Sequence, residues 1–303
     1  MDIQQQIKDL LPEDVDFGIS VEHVESGEHF DINGDAIFPT ASVFKVPVMV
    51  EVFKQARQGF FALNDRLELK SKYKTLTTGV LLTLQDGLMP TIRDLMMLMT
   101  IVSDNTATTM LMDKVGAEKI TRTMHDLGLN SMSIVITVHE MFLHAFSIPD
   151  RPNISVEELQ ELAQTVEMDY NSLTFSRGPE NDVSSANDMT RLMSMIQRNE
   201  IVDPDASQEM IDIMRNQQYT NRIPRYLPWR CTANKTGTMR GLRNDSGIIT
   251  CSPISHIAYS VFSFDPTPLR QMDRRIREER TSAIEKIFGE IGLALFTEYS
   301  DLQ

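Results

Sequence analysis

The chain has 303 residues, 41% hydrophobic and 24% charged, the balance of a soluble globular protein large enough for one big domain or two lobes. Its formal net charge of −14 disfavours nucleic acid and anionic membranes as partners, and no apolar run is long enough to span a bilayer. No basic segment followed by an apolar one opens the chain. As written it is therefore expected in the cytoplasm, or in the periplasm or outside if a leader has been removed.

Asp2 to Leu11 reads as a short polar helix ended by Pro12. Val15 to Glu25 alternates Phe17, Ile19 and Val21, Gly27 marks a turn, and His29 to Phe38 returns, which predicts a hairpin. Next comes Phe38-Pro39-Thr40-Ala41-Ser42-Val43-Phe44-Lys45, opening an apolar run from Val43 to Phe53 with little polar face. A helix apolar nearly all round is a buried one. Residues three apart share a helix face, so Lys45 lies behind Ser42. Burial strips the lysine's charge of solvent and lowers its pKa, so that it can take a proton from a neighbouring hydroxyl. The start of a helix also favours developing negative charge. Ser42 is thus a candidate activated nucleophile. Ser71-x-x-Lys74 has the same spacing but lies in the polar run Leu69 to Gly79, where nothing desolvates the lysine.

From about Asn64 to Glu200 the periodicity is helical. Thr91 and Asp94 form a capping box for a Met- and Leu-rich helix, Ile92 to Val102, whose Met96, Met97 and Met99 read as core. A second helix runs from Thr106 to Val115 and stops at Gly116. Ser103-Asp104-Asn105 joins the two, reading either as an N-cap or as polar groups held out from a rigid frame. His139 and His144 are five apart, off a common helix face, so no zinc helix is expected, and no other cofactor either. Val156 to Val166 looks like a helix with Ser155 and Glu158 as its capping box.

After Ile223 the pattern returns to strands, at Arg230 to Thr238, Asp245 to Cys251 and His256 to Phe264, and a helix from Arg270 to Thr297 follows. Cys231 and Cys251 read as free structural thiols. Lys235-Thr236-Gly237-Thr238 puts a glycine inside a strand, a mark of close approach by another backbone or a ligand. A lysine and two hydroxyls there suit a substrate carboxylate and leave an N–H for an oxyanion, with Arg243 as a second cation. The same stretch also reads as a polar edge strand protected by its lysine. The order of elements predicts an α/β (α+β) fold: an antiparallel sheet of about five strands from both chain ends, packed with helices, beside an all-helical lobe. Residues 1–303 are expected to form one domain, with residues 1–60 and 220–303 in the α/β lobe and 61–219 in the helical one.

Together, in this order and spacing, these pieces resemble the penicillin-recognising serine hydrolases, most closely the class A β-lactamases. The resemblance runs over the first hairpin, Phe38 to Lys45, Val102 to Ala107, Asp182-Val183-Ser184-Ser185, and Ala233 to Asp245. It implies a Ser42 nucleophile with Lys45 as base or proton relay. Ser103 would shuttle a proton to the leaving nitrogen, Asn105 would hold the substrate amide, and Lys235, Thr236, Gly237, Thr238 and Arg243 would form the carboxylate side. The N–H groups of Ser42 and Thr238 would make the oxyanion hole. Glu167 and Asn171, four apart, match the pair that positions the deacylating water. Three features depart from the family. Thr165 stands where it has an arginine, Thr78 lies near the place of a rim tyrosine, and the 64 positions from Ser103 to Glu167 exceed its usual spacing, the surplus falling in 131–165. The implied activity is β-lactam hydrolysis on a small molecule carrying a carboxylate. The alternatives are an esterase or D-amino-acid peptidase of the same fold, and a penicillin-binding module that acylates without turnover.

Overall fold

A computed structural model describes residues 2–76, 78–265, 267 and 273–300. The chain begins with α1 (Ile3–Lys8), β1 (Asp16–His23), β2 (Glu28–Ile32) and β3 (Ile37–Pro39). Then come α2 (Lys45–Arg57), α3 (Ile92–Ile101), α4 (Asn105–Val115), α5 (Ala117–Asp126), α6 (Val138–Ala145) and α7 (Val156–Thr165). It closes with β4 (Val183–Ser185), α8 (Ala186–Gln197), α9 (Pro204–Met214), β5 (Thr232–Met239), β6 (Leu242–Ser252), β7 (Ser255–Phe264) and α10 (Arg274–Ser300). The predicted start of the last helix at Arg270 lies outside the described residues. Among those residues, no helix is long and apolar enough to cross a membrane.

The chain divides into two compact units, Met1–Val43 with Ser184–Gln303, and Phe44–Val183. In the first, the sheet runs β2-β1-β7-β6-β5, antiparallel throughout, with strands from both chain ends. Two of its hairpin turns, β1–β2 and β5–β6, use glycines at φ 73° (Gly27) and φ 78° (Gly241), conformations that cost other residues strain. β1, β6 and β7 are buried along most of their lengths, as strands covered on both faces are. α10 packs on β6 and β7, where Phe288, Ile291 and Leu295 meet Phe17, Ile19, Tyr259 and Val261 in one apolar cluster. α8 packs on β1, β6 and β7, and α9 on β5. Those contacts put α8 and α9 with the sheet, although their sequence periodicity matches that of the helical stretch before them. The second expected strand, His29 to Phe38, is broken into β2 and β3, with Asn33 at φ 52° between them.

The second unit is built on α2, which packs against α3, α4 and α5. Nearly every residue from Lys45 to Phe53 is buried, so the apolar run does mark a core helix. Among the described residues of 64–90 none is in an α-helix, despite their spacing. Leu67 and Leu69 donate backbone N–H groups to Pro90 and Leu88, and short 3₁₀ turns at Ser71–Tyr73 and Leu81–Thr83 interrupt the coil. The capping boxes at Thr91/Asp94 and Ser155/Glu158 are both formed. A third, Thr137/Glu140, starts α6 and carries His139 and His144. The base of the segment between is tied at Asp182. Its Oδ1 accepts from Val135 and Ile136 N–H at 2.8 and 3.1 Å, while Ser133 and Val183 form a backbone bridge. Burial pushes the Asp182 carboxyl up to about 7.

Candidate active site

In the second unit, Lys45 occupies the first position of α2 and is almost wholly buried. Its Nζ donates to Ser103 O at 2.8 Å, Ser103 Oγ at 3.0 Å and Asn105 Oδ1 at 2.8 Å. These three contacts use the full donor capacity of an ammonium group and none is a carboxylate. Burial pulls the Lys45 pKa down to about 7, with Asp104 opposing the shift. Lysine near pH 7 is then divided between an ammonium and a neutral amine able to accept a proton.

The groups that receive Lys45 are held by the connection between α3 and α4. Asp104 is the N-cap of α4, accepting from Ala107 N, so the capping reading of the triad holds for its middle residue. The other oxygen of Asp104 accepts from Val80 and Leu81 N–H at 2.6 and 2.9 Å. Gly79, at φ 105°, lies so close to this carboxylate that an added Cβ would fall 2.2 Å from it. Ser103 itself has φ 55°, a left-handed conformation rare for a non-glycine and costly unless its surroundings enforce it. Thr78 Oγ1 and Lys45 Nζ both donate to its carbonyl. Asn105 Nδ2 donates to Leu76 O at 2.7 Å, which fixes its amide with the oxygen toward Lys45. Thr78, noted for the missing rim tyrosine, thus has a positioning contact of its own.

Ser42 sits half-buried in a 3₁₀ turn, Ala41–Phe44, that runs straight into α2. The nucleophile candidate therefore precedes the α-helix proper, one turn before Lys45, and Ala41 ahead of it is left-handed at φ 44°. Within the first unit the backbone leading into this turn is pinned to β5 and β6. Asn244 Nδ2 donates to both Pro39 O and Thr40 O, at 2.9 and 3.0 Å. A Cβ on Gly237 would lie 2.5 Å from Thr40 O and 3.1 Å from Val43 Cγ2. The glycine within the strand marks close approach of another backbone, here the one that carries Ser42.

On the same strand Lys235 is fully buried and donates to Thr236 O, with Thr236 buried beside it. Thr238 Oγ1 accepts from Arg222 Nη2 at 2.5 Å. Arg222 also donates through Nη1 to Gly237 O and Asn244 O, at 2.8 and 2.6 Å. Nothing in the spacing around Arg222 singles it out; only the fold brings it under the β5–β6 ladder. Arg243 pairs across the strands with Thr238, but its Nη1 is spent on Met239 O and Leu242 O, and its Nε faces Glu285 at 3.3 Å. Burial lowers the pKa of Arg222 to about 10, with neighbouring Arg243 adding to the shift, and lowers that of Arg243 as well. Beneath them, Asp245 accepts from Asn234, Tyr259 and Ile223 N–H, and burial pushes its carboxyl up to about 6.

Glu167 and Asn171 lie in coil following α7, both exposed, and Asn171 N–H donates to Asp169 Oδ1 at 2.9 Å. The look-alike serine is occupied elsewhere. Ser71 and Lys74 both bind the exposed Asp86. Cys231 and Cys251 are free thiols whose pKa burial raises to about 11 and 12, which favours the protonated form near neutral pH.

Comparison with known proteins converges on one group. The family model described as "Beta-lactamase enzyme family" matches residues 2–299. The β-lactamases PSE-4 and CARB-3 of Pseudomonas aeruginosa are each 31% identical over 112 residues, which is 37% of this chain. That match spans only 38% of the length of these curated relatives. Among solved structures, a β-lactamase from Sphaerobacter thermophilus DSM 20745 superposes with a TM-score of 0.76 at 24% identity, over 98% of this chain and 96% of the other. A structure of PBP-A gives 0.75 at 21% identity with the same coverage. At such identities the likeness is one of fold.

Proposed function

From the premise that the chain belongs to the β-lactamase enzyme family, we propose that it opens a β-lactam amide through an acyl-enzyme on Ser42. The observation that carries this reading is Lys45, buried, shifted to about 7 and bonded to Ser103 and Asn105. In its neutral form Lys45 takes the Ser42 hydroxyl proton as Oγ attacks the carbonyl carbon. The negative charge that forms on the carbonyl oxygen falls to the N–H groups of Ser42 and Thr238. When the C–N bond breaks, the leaving nitrogen takes a proton relayed from Lys45 through Ser103 Oγ, 3.0 Å from Nζ. Asn105 binds the substrate's side-chain amide, and Lys235, Thr236 and Thr238 bind its carboxylate with a guanidinium behind them. Arg222 suits that last task best because it already touches Thr238 Oγ1, although, like Arg243, it also holds two carbonyls and faces Glu285.

Deacylation is assigned to Glu167 with Asn171, on their four-residue spacing. Both side chains are exposed, so a water held there is less fixed than one in a closed pocket. A misplacement of ~1 Å can cost about a hundredfold, which makes deacylation the slower step. The same exposure favours, as a second reading, a penicillin-binding protein that acylates and stays acylated.

The test is turnover of a chromogenic cephalosporin beside a short-chain nitrophenyl ester, with wild type and Ser42→Ala. Cephalosporin turnover that Ser42→Ala abolishes supports hydrolysis. A stoichiometric burst without turnover supports the second reading, and ester turnover alone would replace both with an esterase.

A further inference from the structure

The loop between α9 and β5 forms a recess of about 240 Å³ that the acylation chemistry does not use. Among the described residues, its wall holds three arginines, Arg215, Arg225 and Arg230, and no acidic residue, on a chain whose net charge is −14. Trp229, the only tryptophan, also lines it and is 80% exposed. An indole so open to water is uncommon, because tryptophan usually buries most of its large surface.

The recess is built rather than loose. Gln217 and Asn234, both over nine-tenths buried, line it, and Gln217 Oε1 holds Gln218 and Tyr219 N–H at 2.9 and 3.0 Å. Arg230 donates to Asn216 Oδ1 at 2.7 Å, with its own backbone left-handed at φ 62°. Arg225 lies over the Tyr226 ring at 5.6 Å. Arg215 meets Asp212 only at 3.5 Å, on the exposed surface, a weak contact that an incoming anion would readily replace. From Asn234 to Gly237, where the Ser42 turn docks, is three residues of strand, roughly 10 Å at ~3.3 Å per residue.

A flat aromatic face beside guanidinium groups suits a ring that stacks and an anion that takes paired N–H donors. The recess is smaller than the ~300–1,000 Å³ of pockets that enclose drug-sized ligands, so one ring and its acidic group fill it. We propose that it binds a small ring-bearing anion, the ring on Trp229 and the carboxylate or phosphate on Arg215 and Arg230. The proposal does not depend on Ser42.

Because Trp229 is the only tryptophan, its fluorescence reads this site alone. Titration of the full chain would use glucuronate, 4-hydroxybenzoate and adenosine 5′-monophosphate, each beside its uncharged counterpart: glucose, 4-hydroxybenzyl alcohol and adenosine. Calorimetry serves as the second readout where a probe absorbs. At least one anion is expected to bind about tenfold or more tightly than its neutral partner, the worth of a charge-assisted hydrogen bond. Which anion binds tells a sugar acid from an aromatic acid or a nucleotide. R215Q with R230Q should erase the preference while leaving the melting temperature and ester turnover unchanged. Equal binding of charged and neutral probes, a preference that survives R215Q with R230Q, or no binding by any anion below ~10 mM would overturn the proposal.

Discussion

Lys45 Nζ stands 3.0 Å from Ser103 Oγ, and the same nitrogen reaches Ser103 O and Asn105 Oδ1 at 2.8 Å. One buried amine thus ties the helix start that follows Ser42 to the strained connection between α3 and α4. As a base it works only when neutral. Its pKa of about 7 therefore places the rise of acylation with pH in the neutral range. Below that value the rate should fall about tenfold per pH unit, as the ammonium form takes over. Burst rates of a chromogenic substrate between pH 5.5 and 8.5 measure this. Lys45→Met should slow the burst by about two to four decades and flatten the profile. A flat profile in the wild type would show that Lys45 is not the base.

Gly237 lies against the backbone that carries Ser42, the proposed nucleophile. Gly237→Ala brings a methyl group to within 2.5 Å of Thr40 O, so the turn carrying Ser42 must move. Overpacking of this kind costs about 1–3 kcal/mol of stability. A shift of ~1 Å at Ser42 should cost about a hundredfold in the acylation rate. The informative comparison is burst rate against melting temperature. If acylation is unchanged in a folded Gly237→Ala variant, the close approach has no part in positioning Ser42.

Arg222 and Arg243 should separate by substrate charge. Arg222→Gln removes the donor on Thr238 Oγ1 and is expected to lower kcat/KM for carboxylate-bearing substrates about thirtyfold, near 2 kcal/mol. Neutral ester turnover should change little. Arg243→Gln should have a smaller effect on the charged substrate, because its guanidinium bonds Met239 O, Leu242 O and Glu285 rather than Thr238 Oγ1. Melting temperatures are needed for both, since Arg222 also supports the Gly237 and Asn244 carbonyls. Equal losses for charged and neutral substrates would make Arg222 a purely structural residue.

Much of this arrangement was legible in the residues, and what was not has physical reasons. The β1–β2 hairpin could be read because Phe17, Ile19 and Val21 alternate up to a glycine turn. The capping boxes at Thr91 and Ser155 are local hydrogen-bond patterns that hold regardless of tertiary context. The burial of Lys45 followed from the apolar run around it. The helical periodicity expected from about Asn64 fails before Thr91, because Leu67 and Leu69 pair their backbones with Pro90 and Leu88 instead. Arg222 stayed hidden since its partners at Thr238 and Asn244 are 16 and 22 positions away. The left-handed Ala41 and Ser103 carry no sequence signal, because neither is a glycine or an asparagine.

Glu167 is proposed as the deacylation base on its spacing to Asn171, and its exposure on the loop after α7 is expected to make deacylation the slow step. Wild type should show a burst followed by a slower steady state. Glu167→Gln should keep the burst rate and lower the steady state by tenfold or more, within the usual range for a proton-transfer group. A steady state that does not change would assign the base to another residue.

The central claim is a covalent bond between Ser42 Oγ and the carbonyl carbon of the substrate. Peptide mass spectrometry after brief exposure to a penicillin tests it most directly. One adduct is expected, on the peptide that contains Ser42, absent from Ser42→Ala and formed far more slowly in Lys45→Met. An adduct on Ser71 or Ser103 instead, or an equal yield in Ser42→Ala, would contradict it.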